Sequence, residues 1–96
     1  MAASTAAKIG GHLKELRFHL CLRSASSQGL REFLEKNYVA LKTKNPEFPF
    51  LVREASNIQP KVYARYEYGK ESSLPLTNMS RDQVEKAVQS LIHKSH

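Results

Sequence analysis

The spacing of apolar residues changes along the chain, and each change marks a new element. From Leu13 to Cys21 polar and apolar residues alternate, with Leu16, Phe18 and Leu20 on one face and Glu15, Arg17, His19 and Cys21 on the other. A period of two predicts a half-buried strand. From Gln28 to Lys44 the apolar positions Leu30, Phe33, Leu34, Tyr38 and Leu41 form one helical stripe. Lys42 and Lys44 lie where cations complement the helix dipole, and Asn45-Pro46 ends the helix because the residue before proline is pushed out of the helical region. Pro49 to Glu54 is a short, nearly continuous apolar run, which predicts a strand buried on both faces. Lys61 to Tyr68 alternates again, with Val62, Ala64, Tyr66 and Tyr68 opposite Lys61, Tyr63, Arg65 and Glu67. A turn at Gly69–Ser72 leads to a short edge strand, Ser73–Leu76, where Pro75 is tolerated because one side of an edge needs no N–H. Ser80-Arg81-Asp82-Gln83 is a capping box, opening a last helix to about His93 that buries Val84, Ala87, Val88, Leu91 and Ile92.

The predicted order is β-α-β-β-β-α. The leading β-α-β unit crosses over right-handed and sets its strands parallel, whereas the later strands join through short turns. The expected fold class is therefore α/β, a four-stranded mixed sheet with two main helices. One domain over 13–96 is expected, preceded by a flexible arm over 1–12. That arm is small, hydroxylated and free of acidic residues, as in mitochondrial import sequences, yet it lacks their usual arginines and has no secretory apolar core.

Composition narrows the picture in three ways. Ninety-six residues allow a single core. A lone cysteine rules out an internal disulfide and favours a reducing compartment such as cytosol or mitochondrial matrix. The formal charge of +6 favours acidic partners, but the basic residues are dispersed, without the block of like charges expected of a nucleic-acid tail. No apolar run is long enough to span a bilayer, so direct membrane insertion is not expected.

The candidate chemistry centres on Cys21. A cysteine at the end of a strand and beside a helix start is the address of the redox thiol in thioredoxin-type folds, and a helix N-terminus with Arg23 nearby would favour its thiolate. Ser24 stands where a C-x-x-C would carry its second thiol, and its hydroxyl is a candidate partner for the sulfur. Gln59-Pro60 precedes the third strand, where thioredoxin-type folds carry a cis-proline, so Pro60 is a candidate for one. The region before the last helix lacks the Gly-Gly pair of glutathione-handling relatives, which favours an unreactive thiol. His12, His19, His93 and His96 have no metal-ligand spacing, and no phosphate-binding glycine motif occurs. Tyr63, Arg65, Tyr66 and Tyr68 interleave aromatic and basic groups, a pattern that suits base stacking or, more simply, a protein contact patch.

Several segments together carry a family resemblance: Leu16-Arg17-Phe18-His19-Leu20-Cys21, Glu35-Lys36-Asn37-Tyr38, Asn45-Pro46, Arg53-Glu54-Ala55-Ser56, Gln59-Pro60-Lys61 and Ala64-Arg65-Tyr66. In order and spacing the chain resembles, from about Leu13 to Ile92, the small thioredoxin-fold accessory subunits of mitochondrial respiratory complex I. The resemblance implies a thioredoxin-like fold and a non-catalytic subunit with no cofactor. It implies a peripheral place on the matrix side of the inner membrane, near the NADH-oxidising module. Its partners would be core and accessory subunits of the matrix arm, the large iron–sulfur subunit among them, with no nucleic acid. Arg53, Tyr63, Arg65 and the loop around Cys21 to Ser24 are the expected contacts. The family often carries a second cysteine where this chain has Ala55, so a regulated cysteine pair is missing. Two alternatives remain: a mitochondrial ribosomal RNA- or protein-binding subunit of the same fold, and a monothiol redox protein acting through Cys21.

Overall fold

The computed structural model describes residues 9–93. Strand β1 (Leu13–Leu20) leads through a 3-10 turn at Ala25–Ser27 into helix α1 (Gln28–Lys44). Strands β2 (Phe50–Glu54), β3 (Lys61–Tyr66) and β4 (Glu71–Pro75) follow, and helix α2 (Arg81–Ile92) closes the order. The sheet runs β2-β1-β3-β4, with β2 parallel to β1 and β3 antiparallel to both β1 and β4. The α/β class, the mixed four-stranded sheet and the two helices are thus as the periodicity predicts.

Register decides what is buried. Phe18 lies opposite Val62, and Leu16 opposite Ala64, so these residues share one face with Leu20 and Tyr66. Both helices pack on that face: Phe33 of α1 meets Phe18 with ring centroids 6.3 Å apart, and the Tyr66 hydroxyl donates to the Leu91 carbonyl of α2 at 2.6 Å. Leu30, Leu41, Leu76, Val84, Val88 and Ile92 complete the core.

The helices meet at their N-terminal ends. A Cβ on residue 29 would overlap the Met79 carbonyl, so only glycine permits the approach of α1 to the entry of α2. Asn78 N–H donates to the Ser26 carbonyl beside it, and both bonds of the Ser80–Gln83 capping box form. At the other end of α1, the buried Asn45 side chain donates to the Leu41 carbonyl and accepts from Ile9 N–H. Ile9 packs against the core, and His12 bonds the Ile92 carbonyl. Of the expected flexible arm, residues 1–8 lie outside the described residues, while Ile9 to His12 are held in these contacts.

Three local expectations change. First, β2 is an edge strand in which only Phe50 is buried; Leu51 and Val52 are 48% and 41% exposed. The apolar run reflects an open edge of the sheet, not burial between two layers. Second, Tyr68 is not in β3: the chain leaves the ladder after Tyr66 and turns, leaving Tyr68 93% exposed. Third, Pro60 is trans, with no cis peptide among the described residues. Reversal of the β2–β3 connection falls instead to Asn57, at φ 63°, and the buried Pro60 presents its carbonyl to Leu76 N–H at 3.0 Å.

Candidate interaction face

Because both helices cover one side of the sheet, the other side is bare among the described residues. The alternation that sends Leu16, Phe18 and Leu20 inward sends Glu15, Arg17 and His19 outward. Register then aligns these with neighbouring strands. Arg53 of β2 lies opposite His19, and across β3 His19 faces Lys61, Arg17 faces Tyr63, and Glu15 faces Arg65. The expected contacts Arg53, Tyr63 and Arg65 therefore share one surface. That surface also includes Arg17, His19 and Lys61, which the polar face of β1 and the alternation of β3 would have assigned once the pairing was known.

The face is tightly organised. Glu15 accepts from Arg17 Nε at 3.1 Å and lies 3.8 Å from Arg65 Nε. The His19 and Tyr63 rings sit 4.9 Å apart, with Lys61 Nζ 5.5 Å from the Tyr63 ring. Arg17, Arg53, Lys61 and Arg65 outnumber the carboxylates Glu15 and Glu71 on the same face. Partial burial and then the charges of Arg53, Arg17 and Lys61 lower the pKa of His19, so its imidazole is neutral near pH 7. A positive surface with aromatic residues at its centre suits binding to an acidic partner far better than it suits bond-breaking chemistry.

Cys21 lies beyond the C-terminal end of β1 and is 6% exposed. Its N–H donates to the buried Ser27 hydroxyl at 3.1 Å, and Arg31 donates to the carbonyls of Cys21 and Ser24, both at 2.9 Å, which fixes the loop. Backbone N–H groups of Arg23, Asn57 and Ser24 face the sulfur and lower the thiol pKa, with a smaller opposing effect of burial and a further lowering from Arg31. The Ser24 hydroxyl instead accepts from Ser26 N–H as the cap of the 3-10 turn. The loop thus favours a thiolate yet nearly encloses it. Cys21 and the sheet face are separate features, and Pro60 contributes no cis bond to either. Among the described residues no His, Cys, Asp and Glu cluster could hold a metal, and no helix is long and apolar enough to cross a membrane.

Known proteins resemble this chain over nearly its full length. A family model described as the mitochondrial ribosomal protein L51 / S25 / CI-B8 domain matches residues 30–81. NADH dehydrogenase [ubiquinone] 1 alpha subcomplex subunit 2 of Mus musculus is 45% identical over 95 residues, covering 96% of each chain. The NADH-ubiquinone oxidoreductase 10.5 kDa subunit of Neurospora crassa is 49% identical over 80 residues, 83% of this chain and 85% of that one. The Arabidopsis thaliana alpha subcomplex subunit 2 is 43% identical over 84 residues, 88% of this chain and 87% of its own. These relatives favour neither the ribosomal nor the monothiol alternative. With identity at this level over most of its length, the chain belongs to the family of NADH dehydrogenase [ubiquinone] 1 alpha subcomplex subunit 2, a subunit of mitochondrial complex I.

Proposed function

We propose that the chain is a non-catalytic accessory subunit, peripheral on the matrix side of the inner membrane, that supports assembly and stability of the complex I matrix arm. It docks through its bare sheet face near the NADH-oxidising module, with the large iron–sulfur subunit as the intended neighbour. It carries no flavin, cluster or nucleotide of its own. The observation that carries this reading is the face itself: Arg17, Arg53, Lys61 and Arg65 around His19 and Tyr63, on a sheet whose other side is already filled by two helices. Names of the relatives supply the assembly in which such a face would be covered.

Charge reversal at the face is the direct test. In mitochondria lacking the endogenous subunit, the wild-type chain should restore mature complex I on blue-native gels. Arg53→Glu together with Arg65→Glu should lower the restored complex at least about five-fold, the effect of losing roughly 1 kcal/mol of docking energy. Both side chains are exposed, so the isolated domain should keep its fold. Full restoration by the doubly reversed chain would show that another surface makes the contact.

A further inference from the structure

The β3–β4 hairpin turns through Tyr68 and Gly69, both left-handed, at φ 64° and 74°. Lys70 N–H points to the Glu67 carbonyl at 3.5 Å, so the pair occupies the two central positions of a type I′ turn. Those positions favour Asn-Gly, because glycine has no Cβ to clash and asparagine tolerates the conformation. Among the described residues the other non-glycine positions with positive φ, Asn57 and Asn78, obey that preference. Tyr68 does not: a bulky L-residue in this region is a genuine outlier. Nor does the fold recover the cost through packing, since the side chain is 93% exposed. Backbone strain of this kind clusters at functional sites, ligand clamps among them.

The turn lies at the edge of the cationic face. Tyr68 lines a groove there with Lys14, Glu15, Pro49, Arg65 and Glu67, in which Glu15 is engaged by Arg17 and Arg65. The groove is therefore continuous with the basic surface, at the end of the sheet opposite Cys21. We propose that Tyr68 is the aromatic anchor of the docking surface, inserting into an apolar pocket on a neighbouring subunit of complex I. The proposal rests on the docking reading above and adds to it the residue that concentrates the binding energy. Tyrosine suits that role because it buries a large rigid area at little cost in conformational freedom.

The anchor and the strain make opposite demands, which gives an unusually direct test. Tyr68→Asn creates the preferred turn pair and keeps the net charge. Thermal unfolding of the isolated chain should show Tm rising by about 2–6 °C relative to wild type. Equal amounts of differently tagged wild-type and Tyr68→Asn chains, expressed together, should compete unequally for complex I. In the purified complex the variant should be under-represented at least about thirty-fold, the lower limit for an interface hot spot. A more stable chain that enters the complex less well is the expected pair of results. Equal incorporation overturns the anchor while leaving the docking role intact. Absence of the wild-type chain from the complex overturns the role itself. A Tm that does not rise removes the strain on which the argument starts.

Discussion

At the scale of single residues, Gly29 shows how one missing methyl sets the packing of two helices. Alanine is the better helix former by about 1 kcal/mol, so on an open helix Gly29→Ala would stabilise. Here the added Cβ meets backbone, the Met79 carbonyl and the Ser80 carbonyl carbon, which cannot rotate away as a side chain would. Overpacking against unyielding backbone costs about 1–3 kcal/mol, which outweighs the propensity gained, and it displaces the N-terminus of α2. Gly29→Ala should therefore unfold at lower temperature, by about 4–8 °C for each kcal/mol lost. An unchanged or higher Tm would mean that the two helices part without cost. Periodicity could not reveal this position, because glycine is silent in a hydrophobic pattern. The alternation of β1, by contrast, separated the residues of the outer face from those of the core. That places Arg17 and His19 outward, while strand register brings Arg53 of β2 and Lys61, Tyr63 and Arg65 of β3 onto the same surface.

Among the elements, those with strong periodicity were legible and those defined by their neighbours were not. Helix α1 runs over the predicted Gln28–Lys44, because its stripe, its terminal lysines and the Asn45-Pro46 stop all agree. Strand β2 is apolar along its length, but whether such a run is central or at an edge depends on sheet order, a non-local property. The β3 alternation continued through Tyr68 in sequence while the backbone turned under it, since the type I′ turn is marked only by Gly69. Helix α2 is the reverse case, announced by its cap. Ser80 Oγ accepts from Gln83 N–H at 3.2 Å, and Gln83 Oε1 accepts from Ser80 N–H at 2.9 Å. Ser80→Ala removes the first of these bonds and should cost about 1 kcal/mol. Urea unfolding should show a lower midpoint with an unchanged slope. Because Met79 and Ser80 also receive Gly29 of α1, the cost of combining Ser80→Ala with Gly29→Ala should differ from the sum of the two.

For the whole molecule, the asymmetry of the sheet couples stability to charge. One side is closed by helices; the other gathers Arg17, Arg53, Lys61 and Arg65 around His19, with Tyr63 against its ring. Burial and then the charges of Arg53, Arg17 and Lys61 disfavour the imidazolium, so the folded-state pKa of His19 lies below its unfolded value of 6.5. As pH falls through that unfolded value, the unfolded chain takes up the proton first, and His19 withdraws stability until the folded form is protonated as well. Above the unfolded value the group is neutral in both states and the penalty is absent. The stability advantage of wild type over His19→Gln should therefore shrink as pH falls below about 6.5. Denaturant titrations at a series of pH values measure it, and a difference that stays constant would remove His19 from the account. Docking reverses the sign of the surroundings. Carboxylates of an acidic partner would offset Arg17, Arg53 and Lys61 and raise the His19 pKa, so association on the proposed face takes up a proton. Binding to such a partner should then strengthen as pH falls below the bound-state value toward that of the free domain, the range in which the free domain itself becomes less stable. The same cationic face that burdens the isolated fold at low pH is relieved when a partner covers it.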